Sequence, residues 1–267
     1  TFYNASGNKV GTAYEYFDIL PLHTKTSYDA ADLNRYVKQN IPSDYKQAMG
    51  GDGPLARLGK YFIQAQNKYG VNALYLFAHA IHESAWGSSK IAQEKHNLFG
   101  LHATDTDTYD NATGFKSYQA CINYAAKYVA NKYQDPEGAY YYGAMLGNKQ
   151  SGMNVKYASD PFWGQKIAGY MYRIDKALGG KDFGKYTLGV AAASSLNVHS
   201  TPHTGATIYQ YKNPGAGIII TGTRKNGEGT WYQIYSDEHD FRNSDKVYVY
   251  HNGQYDLLSK KVNIAGK

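Results

Sequence analysis

A single cysteine, Cys121, in 267 residues excludes an intramolecular disulfide framework and any cysteine-cluster zinc site. It lies in a helical run and is expected to be a small buried hydrophobe. No run of about eighteen apolar residues is present to cross a membrane as a helix, so no membrane partner is expected. A zinc-protease helix needs two histidines four residues apart around its glutamate, and the order His79, His82, Glu83 does not supply them. Neither a nucleophilic-serine elbow nor a phosphate-cradling glycine loop occurs, and no metal or other cofactor is expected. An apolar export segment is also missing: the chain opens at Thr1, as a processed product or an excised fragment would.

What is there is globular. Charged residues make up 19% and apolar residues 42% of the chain, with length enough for two domains and a substantial core. The net charge of +6 favours an anionic partner: nucleic acid, a membrane surface or a phosphate-rich wall polymer. Lys and Arg are spread along the chain without a nucleic-acid motif, which argues against the first. Twenty-eight tyrosines supply rings for apolar faces and hydroxyls for polar partners, a combination suited to sugars, although most must fill half-buried surface. A monomer is expected.

The chain is organised around residues 73–100, ALYLFAHAIHESAWGSSKIAQEKHNLFG. Ala73 to Ile81 are helix formers or aromatics, apolar on almost every side, the composition of a helix buried within a domain. That helix delivers one carboxylate, Glu83, shortly before Gly87, which suits a left-handed helix end. The negative end of the helix dipole and partial desolvation both favour the protonated carboxyl, an acid able to act near neutrality. On spacing alone, a helix-end carboxylate paired with a lysine fits as well. His79 is expected to be packed or hydrogen bonded.

ESAWGSSKIA followed by KHNLFG, with YASDPFW at 157–163, resembles the signature of glycoside hydrolase family 73, bacterial N-acetylglucosaminidases that cut peptidoglycan. The likeness reaches back loosely to Tyr14 and covers some two thirds of the chain. It implies a mainly α-helical, lysozyme-like domain with a small β flap, in which Glu83 is the catalytic acid. Tyr157 then holds the substrate's acetamido group or a water, and Tyr133 faces the same glutamate. Asn97, Phe99 and Gly100 form the groove floor, and Trp163 joins the substrate-binding set. Some family members carry a second carboxylate as a glutamate in the flap. This chain has Asp105, Asp107 and Asp110 there instead, as candidates or as a solvated loop.

In chain order, residues 2–20 read as a hairpin about Gly7-Asn8, and Ser27 or Asp29 starts a helix with Leu33, Tyr36 and Val37 inward. A second helix carries Leu55, Leu58, Phe62, Ile63 and Gln66 after Gly50–Pro54, Ser88 or Ser89 starts a short one, and 117–133 forms another with Ile122, Ala125, Ala126 and Val129 inward. A long tyrosine-rich loop follows. Asp160-Pro161 starts a last helix, lined by Trp163, Ile167, Tyr170, Met171 and Ile174 and stopped by Gly179-Gly180. Beyond, Val, Ile, Thr and Gly dominate, and LNVHSTP with WYQIYS resembles a bacterial SH3-like barrel with a charged insertion at 237–244 and a hairpin about Asn252-Gly253.

The expectation is a multidomain α+β protein. Residues 1–50 pack a hairpin and helix on a lysozyme-like domain at 51–180, 181–186 form a linker, and 187–267 are an all-β, SH3-like wall-binding domain. The implied activity is hydrolysis of the β-1,4 bond after N-acetylglucosamine in peptidoglycan, by a secreted, wall-associated or phage-released protein, with anionic wall polymers as further partners. Two alternatives stand beside it. One is a lytic transglycosylase, although those enzymes usually follow their glutamate with a Gly-Leu-Met-Gln type of segment; the other is a non-catalytic wall binder.

Overall fold

The computed structural model describes residues 2–3, 6, 9–11, 15–101, 111–191, 194–205, 207–239 and 247–251. Strands β1 (Phe2–Tyr3) and β2 (Lys9–Gly11) pair antiparallel as the hairpin reading expects, with the turn itself outside the described residues. The hairpin does not run on to residue 20, because Glu15–Ile19 is helix α1, with Tyr16, Phe17 and Asp18 buried. Then come α2 (Ala30–Asn40), α3 (Ser43–Ala48), α4 (Gly59–Tyr69), α5 (Ala73–Glu83), α6 (Lys90–Lys95), α7 (Tyr118–Val129) and α8 (Trp163–Ala177).

Side chains visible in the sequence fix where these helices start. Asp32 N–H donates to Asp29 Oδ1 at 2.8 Å and Asp29 N–H to Asp32 Oδ2 at 3.3 Å, a reciprocal box that opens α2. Ser89 opens α6 and Ser117 opens α7, each accepting from the amide three residues on. α5 buries every residue from Ala73 to Ile81. Gln66 Oε1 accepts from both Thr26 N–H and Ala73 N–H at 2.9 Å, so one buried carboxamide ties three segments. Gly59 permits the close approach of α4 to α2: a Cβ there would stand 2.3 Å from the Ala30 carbonyl oxygen.

Two compact units result, each discontinuous in sequence. One comprises Thr24–Ala130 and Tyr170–Asp182; the other comprises Thr1–His23, Asn131–Gly169 and Phe183–Lys267. In the helical unit, Tyr28 donates to Asp175 Oδ1 at 2.5 Å, and buried Asp182 accepts from the Thr26 hydroxyl and the Ser27 amide. The stretch expected to be a linker therefore holds, near its start, a residue fastened into that unit, and in the other unit Phe183 packs 5.0 Å from the ring of Tyr16.

The second unit carries β3 (Leu188–Val190), β4 (Leu196–His199), β5 (Thr207–Tyr211), β6 (Gly217–Asn226), β7 (Gly229–Ile234) and β8 (Val247–His251). They form one antiparallel sheet in the order β3-β6-β7-β8-β4-β5. Its edges, β3 and β5, do not pair with each other, so among the described residues the sheet is open rather than a closed barrel. Val198, Ile218, Ile234, Val247 and Val249 share a core with Tyr141 and Ala144 of the loop after α7. Asp237, expected in a charged insertion, is fully buried: it pairs with His23 at 2.9 Å and accepts from the Tyr141 hydroxyl at 2.8 Å. The rest of that insertion and the second hairpin turn lie outside the described residues.

Candidate functional site

Glu83 is the last residue of α5, and its side chain remains 26% exposed at the end of a helix buried from Ala73 to Ile81. α5 begins with Asn72, whose Oδ1 accepts from Tyr75 N–H at 3.0 Å while its amide donates to Thr24 Oγ at 3.1 Å. It ends at Ser84 rather than at Gly87. Ser84 Oγ donates to the Ala80 carbonyl at 2.5 Å and accepts from Gly87 N–H at 2.8 Å, closing the helix one residue past the carboxylate. The serine of the Glu-Ser pair thus has a structural explanation, which its hydroxyl type and place after a buried helix allow one to read in retrospect.

The chain then makes an uncommon turn. Ala85, Trp86 and Gly87 follow one another at φ 49°, 62° and 85°, a left-handed run in which Ala and Trp are disfavoured by the Cβ clash. Packing holds it: Trp86 stacks on Tyr36 at 5.9 Å and meets Tyr170 edge-on at 6.3 Å, and a Cβ on Gly87 would lie 3.0 Å from Pro54 Cγ. Strain of this kind costs on the order of 1–3 kcal/mol per residue and concentrates at functional sites.

Beside Glu83 stands His79, one turn back, with Nε2 at 3.7 Å from Oε1. Its Nδ1 shares a hydrogen bond with the Tyr75 hydroxyl at 3.1 Å, and Phe99 meets its ring edge-on at 5.1 Å. Burial, helped by His82, pushes its pKa down to about 3. The imidazole is therefore neutral across the working range and brings no cation to the carboxylate.

Asn97, Phe99 and Gly100 are brought to the same place, in three different ways. The Asn97 carboxamide is buried and spent on the backbone: it donates to Leu101 O and Thr113 O at 3.0 and 3.1 Å and accepts from Phe99 N–H and Leu101 N–H. It shapes the turn rather than facing outward. Phe99 is buried against His79. Gly100 adopts a left-handed backbone at φ 60° beside the carboxylate, where a Cβ would sit in ordinary contact, 3.8 Å from Glu83 Oε2.

Tyr133, Tyr157 and Trp163 belong to the other compact unit and form a group of their own. Tyr157 stacks on buried Trp163 at 4.4 Å and an interplanar angle of 25°, and Tyr133 lies 5.6 Å from Tyr157. Tyr133 sits in a π-helical turn, Ala130–Gln134, that follows α7 where the sequence gives only a continuing helix. Such turns recur at functional sites. Asp105, Asp107 and Asp110 lie outside the described residues. Among the described residues, no group of three His, Cys, Asp or Glu side chains is placed to hold a metal ion.

Residues 59–176, which include Glu83 and both aromatic and glycine positions above, match the glucosaminidase family model, described as mannosyl-glycoprotein endo-beta-N-acetylglucosaminidase. A candidate endo-beta-N-acetylglucosaminidase of Streptococcus pneumoniae is 41% identical over 154 residues, covering 58% of this chain and 23% of that protein. A beta-N-acetylglucosaminidase of Bacillus subtilis is 27% identical over 179 residues, covering 62% of this chain and 19% of that one. The chain thus spans less than a quarter of the length of these relatives. The crystal structure of Staphylococcus aureus autolysin E is similar at TM-score 0.48 and 25% identity, covering 63% of this chain and 75% of that one. The matched region is homologous to endo-β-N-acetylglucosaminidases and autolysins, which supports a glycoside hydrolase.

Proposed function

We propose that this protein hydrolyses the β-1,4 bond between N-acetylglucosamine and N-acetylmuramic acid in bacterial peptidoglycan, with Glu83 as general acid. The observation that carries the reading is Glu83 itself. A homologous glucosaminidase region contains a helix buried from Ala73 to Ile81, and that helix ends on one partly exposed carboxyl beside a neutral His79 and next to Gly100.

In this mechanism the Glu83 carboxyl gives its proton to the glycosidic oxygen as the bond to the anomeric carbon breaks, and the leaving sugar departs as an alcohol. Positive charge gathers at the anomeric carbon. Either water attacks directly, or the substrate's acetamido oxygen attacks first and water opens the resulting ring. The first course inverts the anomeric centre and the second retains it. Tyr157 is the residue proposed to hold the acetamido group or the water, its hydroxyl being able to donate and accept. Tyr133, Trp163 and Phe99, all three buried, are proposed to support the sugar-binding surface from beneath, with Asn97 acting through the turn it holds. A flap aspartate, Asp105, Asp107 or Asp110, is proposed to assist the water.

Partners follow from charge and composition. The +6 net charge favours anionic wall polymers beside the glycan strand, and the strand-rich residues 187–267 are proposed as an SH3-like wall-attaching part. The protein would work outside the cytoplasm, at the wall.

One assay tests the reaction. Purified peptidoglycan is digested, and the products are reduced with borohydride and analysed by mass spectrometry. Hydrolysis after N-acetylglucosamine tags glucosamine. Tagged muramic acid, anhydro-muramic ends or an absence of soluble fragments would each reject the proposal.

A further inference from the structure

Among the described residues three large apolar side chains are exposed: Tyr124, Tyr140 and Phe162. Tyr140 differs from the other two in what stands behind it. Its ring lies 5.4 Å from Tyr133, which lies 5.6 Å from Tyr157, which stacks at 4.4 Å on Trp163. The four rings form one ladder within one compact unit, running from a buried tryptophan to a tyrosine that is 37% exposed.

The backbone fixes the outer end of that ladder. Tyr140 N–H donates to the Lys132 carbonyl at 2.9 Å, tying the loop back onto the π-helical turn that carries Tyr133. Gly138 makes this possible, because a Cβ there would stand 2.7 Å from the same carbonyl oxygen. Gly138 N–H and Tyr141 N–H close two further turns, onto Asp135 O and Gly138 O. The next ring along, Tyr141, is anchored in the core through Asp237, so the loop is held on both sides of Tyr140. An aromatic side chain that has already lost its freedom pays little further entropy on binding. Its exposed face is a flat apolar ring, the surface that stacks on a sugar ring.

We propose that Tyr140 is a sugar-binding residue: its exposed face, the open end of the ladder built on Tyr133, Tyr157 and Trp163, stacks on an N-acetylhexosamine ring of the glycan strand. This rests on the glucosaminidase reading above, and it predicts an effect on binding rather than on the chemical step.

The test uses the full chain. KM and kcat are measured on solubilised peptidoglycan strands for wild type, Tyr140→Ala, Tyr140→Phe and Tyr124→Ala. Calorimetry in a Glu83→Gln background then gives Kd for the N-acetylglucosamine tetramer. Tyr140→Ala should raise KM and Kd about threefold to tenfold, the scale of one aromatic stack, with kcat within twofold. Tyr140→Phe should behave as wild type, and so should Tyr124→Ala, whose ring is exposed but in the other unit. Unchanged KM and Kd in Tyr140→Ala would overturn the proposal, as would Tyr140→Phe binding as weakly as Tyr140→Ala, or an equal loss in Tyr124→Ala. If wild type cleaves nothing, the hydrolase reading fails by itself, and the calorimetric comparison still decides the role of Tyr140.

Discussion

Asp18 offers a quantitative test of the described packing. It sits in α1 with one carboxyl oxygen, Oδ1, buried and without a hydrogen-bond partner among the described residues. Burial, and secondarily the charge of Glu15, pushes its pKa from the ordinary 3.8 up to about 8. Between those values the folded state holds a proton that the unfolded chain has released. Stability is therefore fully present below pH about 4 and is lost as pH rises through about 8. Four pH units at 1.36 kcal/mol each make roughly 5 kcal/mol, comparable to the whole stability of many domains. Asp18→Asn keeps the shape and removes the titration. In a Trp86→Phe background the remaining tryptophans, Trp163 and Trp231, both report on the unit that contains Asp18. Urea unfolding followed by their fluorescence should give superimposed curves for the parent and its Asp18→Asn variant at pH 4, and a clear stabilisation of the variant at pH 8. Parallel behaviour at every pH would refute the buried, protonated carboxyl.

Glu83→Gln should lower the cleavage rate on the order of 10² to 10⁴-fold with an unchanged melting temperature, and Tyr157→Phe should cost less, both measured by release of reducing ends. His79 has the opposite linkage to Asp18: with its pKa pushed down to about 3, its contribution is complete above pH about 6.5 and is lost as pH falls toward 3, so acid unfolding of the wild type should be steeper than that of His79→Gln. Gln134 lies in the π-helical turn, fully buried, with neither carboxamide atom hydrogen bonded among the described residues. Gln134→Leu should raise stability by about 1–3 kcal/mol in denaturant titrations, and a loss instead would show that the amide is satisfied in solution.

Much of the helical unit could be read in advance because the controlling interactions are local. Asp29 and Ser89, each one of two expected candidates, cap the helices they precede, and the apolar run from Ala73 to Ile81 forms the buried helix expected before Glu83. The features that escaped depend on distant partners. Nothing around Asp237 announces that His23, 214 residues away, will bury it. The tyrosine-rich loop shows the limit most plainly. Tyr140, Tyr141 and Tyr142 are adjacent and chemically identical, yet one ring is exposed on Tyr133, one is buried on Asp237, and one lies under the Lys156 ammonium at 5.9 Å. Only the fold distinguishes them. Asn97 spends its buried carboxamide on backbone, and whether such an amide faces backbone or groove is set by a turn that sequence spacing does not define.

The core shared by the sheet and the loop at 141–147 bears on how this protein can be taken apart. Gly217 N–H donates to Met145 Sδ at 2.8 Å, Gly217 has no room for a Cβ against the Ile19 carbonyl, and Asp237 reaches back to His23 and Tyr141. Deleting the chain beyond residue 187 would strip Tyr141, Ala144 and Met145 of their cover and take from His23 its Asp237 carboxylate. The strand-rich part is therefore a poor candidate for a cassette to be grafted onto other enzymes. A transplant that is to stay folded must carry residues 16–23 and 141–147 with it, and a protease that nicks the chain near 187 should release no freely diffusing fragment until denaturant is added.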